Sequence, residues 1–382
     1  MRMLDGLTVL AIEQAVAAPF ATRQLADLGA RVIKIERPGG DFARRYDTAV
    51  GGESSYFVWL NRGKESLELD LKSPSAAEVL SRLLDRSDVF IHNLAPGAIE
   101  RLGLDASTLR PRFPRLVCCS ISGYGDAGPY RDRKAYDLLI QCEVGLLSVT
   151  GTPETPSRVG ISIADIASGM YAFSGVLAAL YERERSGNGS SLKVSLFDAL
   201  SEWMSQPAYY TLYGPAAPAR SGGRHATIAP YGPVTTSDGS ALFLAVQTQA
   251  EWEALCRIVL ERPSLTRDPR FVTNTARVIN RDALEHVLST TFATMTEATL
   301  MGRLGSANIA TAKLNTVRDF IDHPQLAARD RWSEVMIPGG TMRALRPPIE
   351  FDDYRSPMLP VPAAGADTKR ILQEIGLGGL AT

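Results

Sequence analysis

Cysteine and histidine are scarce, with four of each among 382 residues. Cys118, Cys119, Cys142 and Cys256 have no spacing that fits a metal knuckle or a disulfide framework, so buried free thiols are expected, with a catalytic thiol as the alternative. His92, His225, His286 and His323 fall into neither a Ser-His-Asp order nor a zinc pattern, which argues against serine-hydrolase and metal-dependent chemistry. An excess of one charge is missing too: 41 Lys and Arg face 42 Asp and Glu, for a net charge of -1. Such a balance offers nothing to nucleic acid or to a membrane surface. No apolar run reaches membrane-spanning length, and Met1 to Gly6 lacks a signal-peptide pattern, so a cytoplasmic protein is expected. Neither a dinucleotide fingerprint nor a Walker loop is present; Gly39-Gly40, Gly51-Gly52 and Gly123-Tyr124-Gly125 each read as turns. Internal repeats and low-complexity tracts are absent.

What is present is a soluble enzyme's composition, long enough for two domains. Strand patterns at Leu7 to Glu13, Arg31 to Glu36, Ser66 to Leu71, Asp88 to His92 and Leu116 to Ser122 alternate with helical ones at Pro19 to Leu28 and Ser75 to Leu84. Continuous apolar strands separated by helices point to a parallel sheet covered on both faces, a doubly wound α/β architecture. Ligands of such sheets bind beyond the carboxyl ends of the strands. The loops at Gln14 to Val16, Arg37 to Gly40 and Asn93 to Gly97 fall there. The texture changes near residue 205. Pro207 to Gly223 reads as a linker, Tyr231 to Val246 as a hairpin, and Ala250 to Ile321 as helix and loop. Trp332 to Tyr354 looks extended, and Asp367 to Ile375 is a final helix.

One carboxylate stands out. Asp165 lies between the apolar Gly160-Ile161-Ser162-Ile163-Ala164 and a helical pattern from Met170 to Tyr181. An acid at the mouth of a buried helix is costly to desolvate, so it is either a helix cap or a working group. Four cations follow strand ends: Arg37, Lys72, Arg101 and Lys134. Singly each reads as a surface charge; together on one sheet edge they make a dispersed phosphate site.

These segments, in order, carry a family resemblance. They run Ala17-Ala18-Pro19-Phe20, then Leu25 to Pro38, Asn61 to Ser66, Leu69 to Lys72, Asn93 to Gly97 and Arg101-Leu102-Gly103. They continue with Ser122 to Gly125, Gly128-Pro129-Tyr130, Ala135-Tyr136-Asp137, and Asp165 with Gly169. Together they resemble the class III coenzyme A transferases, the family of formyl-CoA transferase, carnitine CoA-transferase and α-methylacyl-CoA racemase. The resemblance covers nearly the whole chain and is strongest over the first ~205 residues.

The resemblance implies that Asp165 is a nucleophile working through an aspartyl anhydride and an aspartyl-CoA thioester, with no metal and no tightly bound cofactor, coenzyme A and its esters being substrates. It implies CoA contacts from Arg37, Lys72, Arg101 and Lys134, with Asn93, Leu94 and Tyr136 lining the cofactor, and places Asp137 close to the nucleophile. Formyl-CoA transferase has Gln where this chain has Val16, which speaks against formyl-CoA and oxalate chemistry. The racemase branch has a His at the position of Tyr136 and an acid at that of Gln249. A phenol is a weak base at neutral pH, so transfer is favoured over racemisation. A CoA-ester-binding protein without turnover stays open, since fold does not fix function.

The stretch Gly40 to Asp47 resembles family members that use succinyl-CoA with C4–C5 dicarboxylates such as malate, citramalate, itaconate or mesaconate. Arg44, Arg45 or the pair Arg224-His225 would hold a distal carboxylate, an Arg fork being suited to it; otherwise Arg44 and Arg45 are solvated surface charges. The implied fold is a Rossmann-like large domain over 1–205 completed by 330–382, a linker over 206–225, a small α+β domain over 226–325, and a return segment with the C-terminal part of the large domain over 326–382. The implied assembly is an interlocked homodimer, its active site shared between the large domain of one subunit and the small domain of the other.

Overall fold

The computed structural model describes residues 3–214 and 217–380; Pro215 and Ala216 of the expected linker lie outside the described residues. The chain divides into two compact units. One comprises Met1–Val144, Val159–Met204 and Pro324–Thr382, the other Gly145–Arg158 and Ser205–His323.

The first unit is built on six parallel strands: β1 (Thr8–Ile12), β2 (Arg31–Glu36), β3 (Lys64–Glu68), β4 (Val89–His92), β5 (Val117–Ser122) and β6 (Ser191–Ser195). Their order, β3-β2-β1-β4-β5-β6, is that of the Rossmann sheet. Inner strands buried on both faces read as apolar runs, which is why β1 and β4 are visible in the sequence; in β2 the run Val32-Ile33 and Ile35 is interrupted by the buried Lys34. β6 is not visible: at the sheet edge, with β5 its only neighbour among the described strands, its Ser-Leu-Lys-Val alternates between exposed and partly buried positions before the buried Ser195. β3 starts two residues before the expected Ser66, and Leu69 and Leu71 leave the sheet to pack against the core.

Three helices define the positions that matter: α1 (Ala17–Asp27), α2 (Ser55–Asn61) and α3 (Ala76–Leu84). Val79, Leu80, Leu83 and Leu84 of α3 close over Leu10, Ile12, Ile33, Ile35 and Phe90 of the sheet, together with Ile371 and Leu372 of the final helix Thr368–Glu374. That final helix is pinned to the edge strand: Asp367 Oδ2 accepts the Ser66 N–H and Thr368 Oγ1 the Glu68 N–H, both at 2.9 Å.

The helix expected from Met170 runs from Ile163 to Ser186. It ends where Gly187, at φ 76°, turns left-handed and returns its N–H to Arg183 O at 2.8 Å. It is the one helix among the described residues long and apolar enough to cross a bilayer, with an 18-residue window of mean hydropathy 1.5. Run-counting misses this because Ala, Ser and Gly interrupt the large side chains. Here it packs against α1, β5 and β6. At Gly169 the approach is so close that a Cβ would sit 2.7 Å from Ala17 O and 3.0 Å from the Phe20 ring.

The second unit holds an antiparallel sheet of Tyr231–Thr235, Ala241–Ala245 and Ala310–Lys313. The first two strands are the expected hairpin; the third lies in sequence read as helix and loop. Helices Arg281–Phe292 and Glu297–Ser306 cover a core around Trp252, Phe271 and Phe292. The stretch read as a linker from Pro207 begins inside a helix, Ser205–Tyr213.

Candidate active site

Asp165 occupies the third position of the long helix, not its cap. Ser162 is the capping residue and makes no side-chain cap bond. The orphan amides of the first turn are met instead by Asp137, whose Oδ1 accepts from Ala164 N at 2.7 Å and Asp165 N at 3.4 Å. Asp137 Oδ2 accepts from Gln141 Nε2 at 2.7 Å, and Gln141 Oε1 accepts from Val159 N at 3.0 Å. A second carboxylate thus performs the capping and leaves the Asp165 carboxylate oxygens without a hydrogen bond among the described residues. Burial, and secondarily the Asp137 charge, push the Asp165 carboxyl up to about 7. A partly buried carboxylate with no donors on it is an available nucleophile once ionised.

A pH dependence follows. The rate should rise as Asp165 ionises and level off above about pH 7. Asp137→Asn removes the neighbouring negative charge, so the acidic limb of kcat/KM should move to lower pH, with a gain of about threefold at pH 6 for a half-unit shift. An acidic limb that stays put or moves upward would show that Asp137 does not act on Asp165 by its charge.

The surroundings come from the loop after β1 and from the segment after β2. Val16 is buried at the cap position of α1, so what it can offer a substrate is backbone. A chain of rings leads away from Phe20, which touches the Gly169 turn. Phe20 meets Trp59 at 5.8 Å, Trp59 meets Tyr56 at 6.5 Å, Tyr56 meets Tyr46 at 5.6 Å and Tyr46 meets Phe42 at 5.7 Å. Arg37 lies over the Phe42 ring at 5.7 Å. The Tyr46 hydroxyl is pushed up to about 12 by burial and then by the charges of Asp41 and Asp165. This ribbon is absent from the sequence reading because its members come from three separate segments.

Arg37, Lys72, Arg101 and Lys134 are all exposed, all follow carboxyl ends of parallel strands, and none pairs with a carboxylate among the described residues. Arg101 ends the short helix Ala98–Arg101 and folds back against Gly97, where a Cβ would stand 2.9 Å from its guanidinium. Leu94 packs against the apolar core beside Leu102, and Tyr136 is exposed at the start of the helix Asp137–Glu143.

The Asn93 amide is engaged by the neighbouring loop: Oδ1 accepts the Gln14 N–H at 2.9 Å and Nδ2 donates to Gln14 O at 2.8 Å. Arg44 is neither a free clamp nor a solvated charge. It grips Glu36 through Nε at 2.8 Å and Nη2 at 2.6 Å and stacks on Phe57 at 3.6 Å. Arg45 stays exposed, with Nη1 on Gly39 O at 2.8 Å. In the second unit Arg224 pairs with Glu285 at 2.6 Å, and His225 stacks on Tyr231 at 5.2 Å. Cys118, Cys119 and Cys256 are buried and their thiols pushed up by burial, whereas Cys142 is exposed, against expectation. No group of three or more potential metal ligands gathers among the described residues.

The model of CoA-transferase family III matches residues 4–368. An acetyl-CoA:oxalate CoA-transferase of Acetobacter aceti is 35% identical over 92% of this chain and 90% of its own. A succinyl-CoA:glutarate CoA-transferase of Mus musculus is 32% identical over 98% of this chain and 87% of its own. A crystal structure of a CaiB/BaiF family protein from Brucella suis superimposes with a TM-score of 0.84 at 33% identity, covering 98% of this chain and 100% of that one.

Proposed function

The chain belongs to CoA-transferase family III, and we propose that it moves CoA from an acyl-CoA, foremost succinyl-CoA, to a C4–C5 dicarboxylate such as itaconate, citramalate, malate or mesaconate. The observation that carries this reading is the Asp165 carboxylate, free of hydrogen bonds among the described residues and raised to about 7 at the start of a helix that Asp137 caps. Relatives that act on glutarate and oxalate support a dicarboxylate acceptor. The oxalate relative weakens the argument from Val16 against the shortest diacid.

In this reading an Asp165 oxygen attacks the thioester carbon, the C–S bond breaks, and CoA leaves as thiolate, giving a mixed anhydride. The thiolate attacks the Asp165 carbonyl and releases the donor acid, leaving an aspartyl-CoA thioester. The acceptor carboxylate displaces the thiolate to form a second anhydride. The thiolate then attacks the acceptor carbonyl, yielding the new CoA ester and free Asp165. One thioester replaces another, and covalent catalysis divides a hard exchange into easier steps. Arg37, Lys72, Arg101 and Lys134 would hold the phosphates of CoA. Arg45, the arginine left without a carboxylate after Glu36 takes Arg44, would hold the far end of the acceptor. The apolar side chains exposed along the long helix, Met170, Tyr171 and Tyr181, support a homodimer.

The test is incubation with succinyl-CoA and a pool of mono- and dicarboxylic acids, the CoA esters being read by mass spectrometry. A new dicarboxyl-CoA is expected, absent with Asp165→Ala. No new ester from any acyl-CoA donor, or free CoA accumulating as the donor disappears, would remove the transferase reading.

A further inference from the structure

Ala15 has φ 59°, in the left-handed region that a residue with a Cβ seldom enters. It lies in the loop between β1 and α1, and that loop is held from two sides. Asn93 grips Gln14 on one side. On the other, the Ala15 N–H points to Asp41 Oδ1 at 3.4 Å. Asp41 is only 4% exposed, and both its oxygens are engaged. Oδ1 also accepts the Ala43 N–H at 3.0 Å, and Oδ2 accepts from Lys34 Nζ at 2.9 Å. Lys34 is fully buried and also donates to Glu13 O, the carbonyl that opens the loop, at 3.4 Å. A buried ion pair adds little net stability, so its value lies in the geometry it fixes. Two residues beyond Ala15, α1 begins, and Ala17 O stands against Gly169, one turn past Asp165.

We infer that Asp41, braced by Lys34, is a positioning residue for the Asp165 site: it holds Ala15 in its left-handed turn and so sets where the first turn of α1 meets the long helix. The inference rests on Asp165 being the nucleophile. It assigns a purpose to a pair of buried charges that touch no reacting atom. The same anchor reaches the aromatic ribbon, because Asp41 caps the short helical turn Phe42–Arg45 that leads into Tyr46.

Asp41→Asn keeps the size of the side chain and removes the charge that holds Lys34. Amide hydrogen exchange in a peptide spanning residues 13–18 should quicken by about tenfold in this variant while the rest of the sheet is unchanged. Single-turnover formation of the enzyme-bound acyl species should slow by at least about tenfold, with Kd for CoA unaltered. Adding Ala15→Gly to Asp41→Asn should restore most of the lost rate, because glycine takes a positive φ freely. A role in stability alone gives no such rescue. If Asp41→Asn does not fold, Ala15→Pro applies the same test, since it forbids the turn and leaves the ion pairs in place; faster loop exchange and slower acylation are expected there too. Unchanged loop exchange, or a rate loss that glycine does not recover, overturns the inference. Were the wild type to transfer no CoA, the exchange measurement would still decide the role of Asp41, and the reading of Asp165 alone would fall.

Discussion

Asp165→Asn is expected to give a protein that melts at a higher temperature and transfers no CoA. On the role proposed for Asp165, the variant lacks the nucleophile and kcat should fall at least about 10³-fold. The gain in stability follows from the pKa. The Asp165 carboxyl is lifted from 3.8 to about 7, by burial first and by Asp137 second. Its folded pKa lies above its unfolded one, so folding is most favoured with the proton on, below about pH 4. That stability is lost as pH rises to 7 and stays lost above it. Three pKa units correspond to about 4 kcal/mol. Partial solvation and the favourable place of an acid in the first turn of a helix reduce this to about 1–2 kcal/mol. Asparagine carries no charge to bury and sacrifices no hydrogen bond, since the carboxylate makes none among the described residues. Thermal melts at pH 8 should favour the variant by a few degrees, and the difference should vanish near pH 4. A variant that melts lower at pH 8 would mean that the carboxylate stabilises the fold, as a cap would.

Glu13→Ala should produce the largest fall in stability. Glu13 is buried at the end of β1 and is shared between two ammonium groups. Its Oε1 lies 2.6 Å from Lys64 Nζ and 3.6 Å from Lys34 Nζ, and its Oε2 accepts from Thr22 Oγ1 at 2.7 Å. With Asp41 on Lys34, the four charges balance. Removing Glu13 takes the carboxylate from Lys64, whose ammonium burial already pushes down to about 7, and breaking a buried pair in this way usually costs about 3–5 kcal/mol. Removing a cation as well restores the balance. Glu13→Leu with Lys64→Met should therefore recover much of what Glu13→Ala loses, because a buried ion pair exchanged for packed apolar groups is close to neutral. Denaturant unfolding followed by probes in the first unit would measure both. A double variant no more stable than the single one would place the loss in the hydrogen bond to Thr22 or in packing rather than in charge.

The sequence made the sheet legible where burial is symmetrical and fell silent where it is not. Val9 to Ile12 are buried on both faces and look it, whereas Lys34 is as buried as its neighbours Ile33 and Ile35 and does not. Lys193 on the edge strand β6 is exposed, and its segment Ser-Leu-Lys-Val-Ser offers no apolar run to mark a strand. Asp165 was visible as an unusual acid, but whether it caps the helix depended on Asp137, 28 residues earlier in the chain. Local spacing cannot carry that information. Arg44 shows the same limit: nothing around it in the sequence announces that Glu36 and the face of Phe57 claim its guanidinium. The free cations were easier to read, because a charge that follows a strand end and finds no acid needs no distant partner to explain it.

The pinning of the final helix to β3 has a consequence for the order in which this chain is made. Ser66 bonds with Asp367, 301 residues away, and Glu68 with Thr368, 300 away. Joining segments so far apart carries a loop-closure entropy that local contacts do not. During synthesis the strands β1 to β6 emerge long before Asp367 and Thr368, so the flank of β3 stays bare until those two residues have been made. The antiparallel sheet of the second unit, by contrast, lies within Ser205–His323 and can fold while the chain is still growing. Translation thus supplies the whole of the smaller unit before the segment that closes β3, and a chain lacking residue 367 onward would expose a naked strand edge, the feature that invites aggregation.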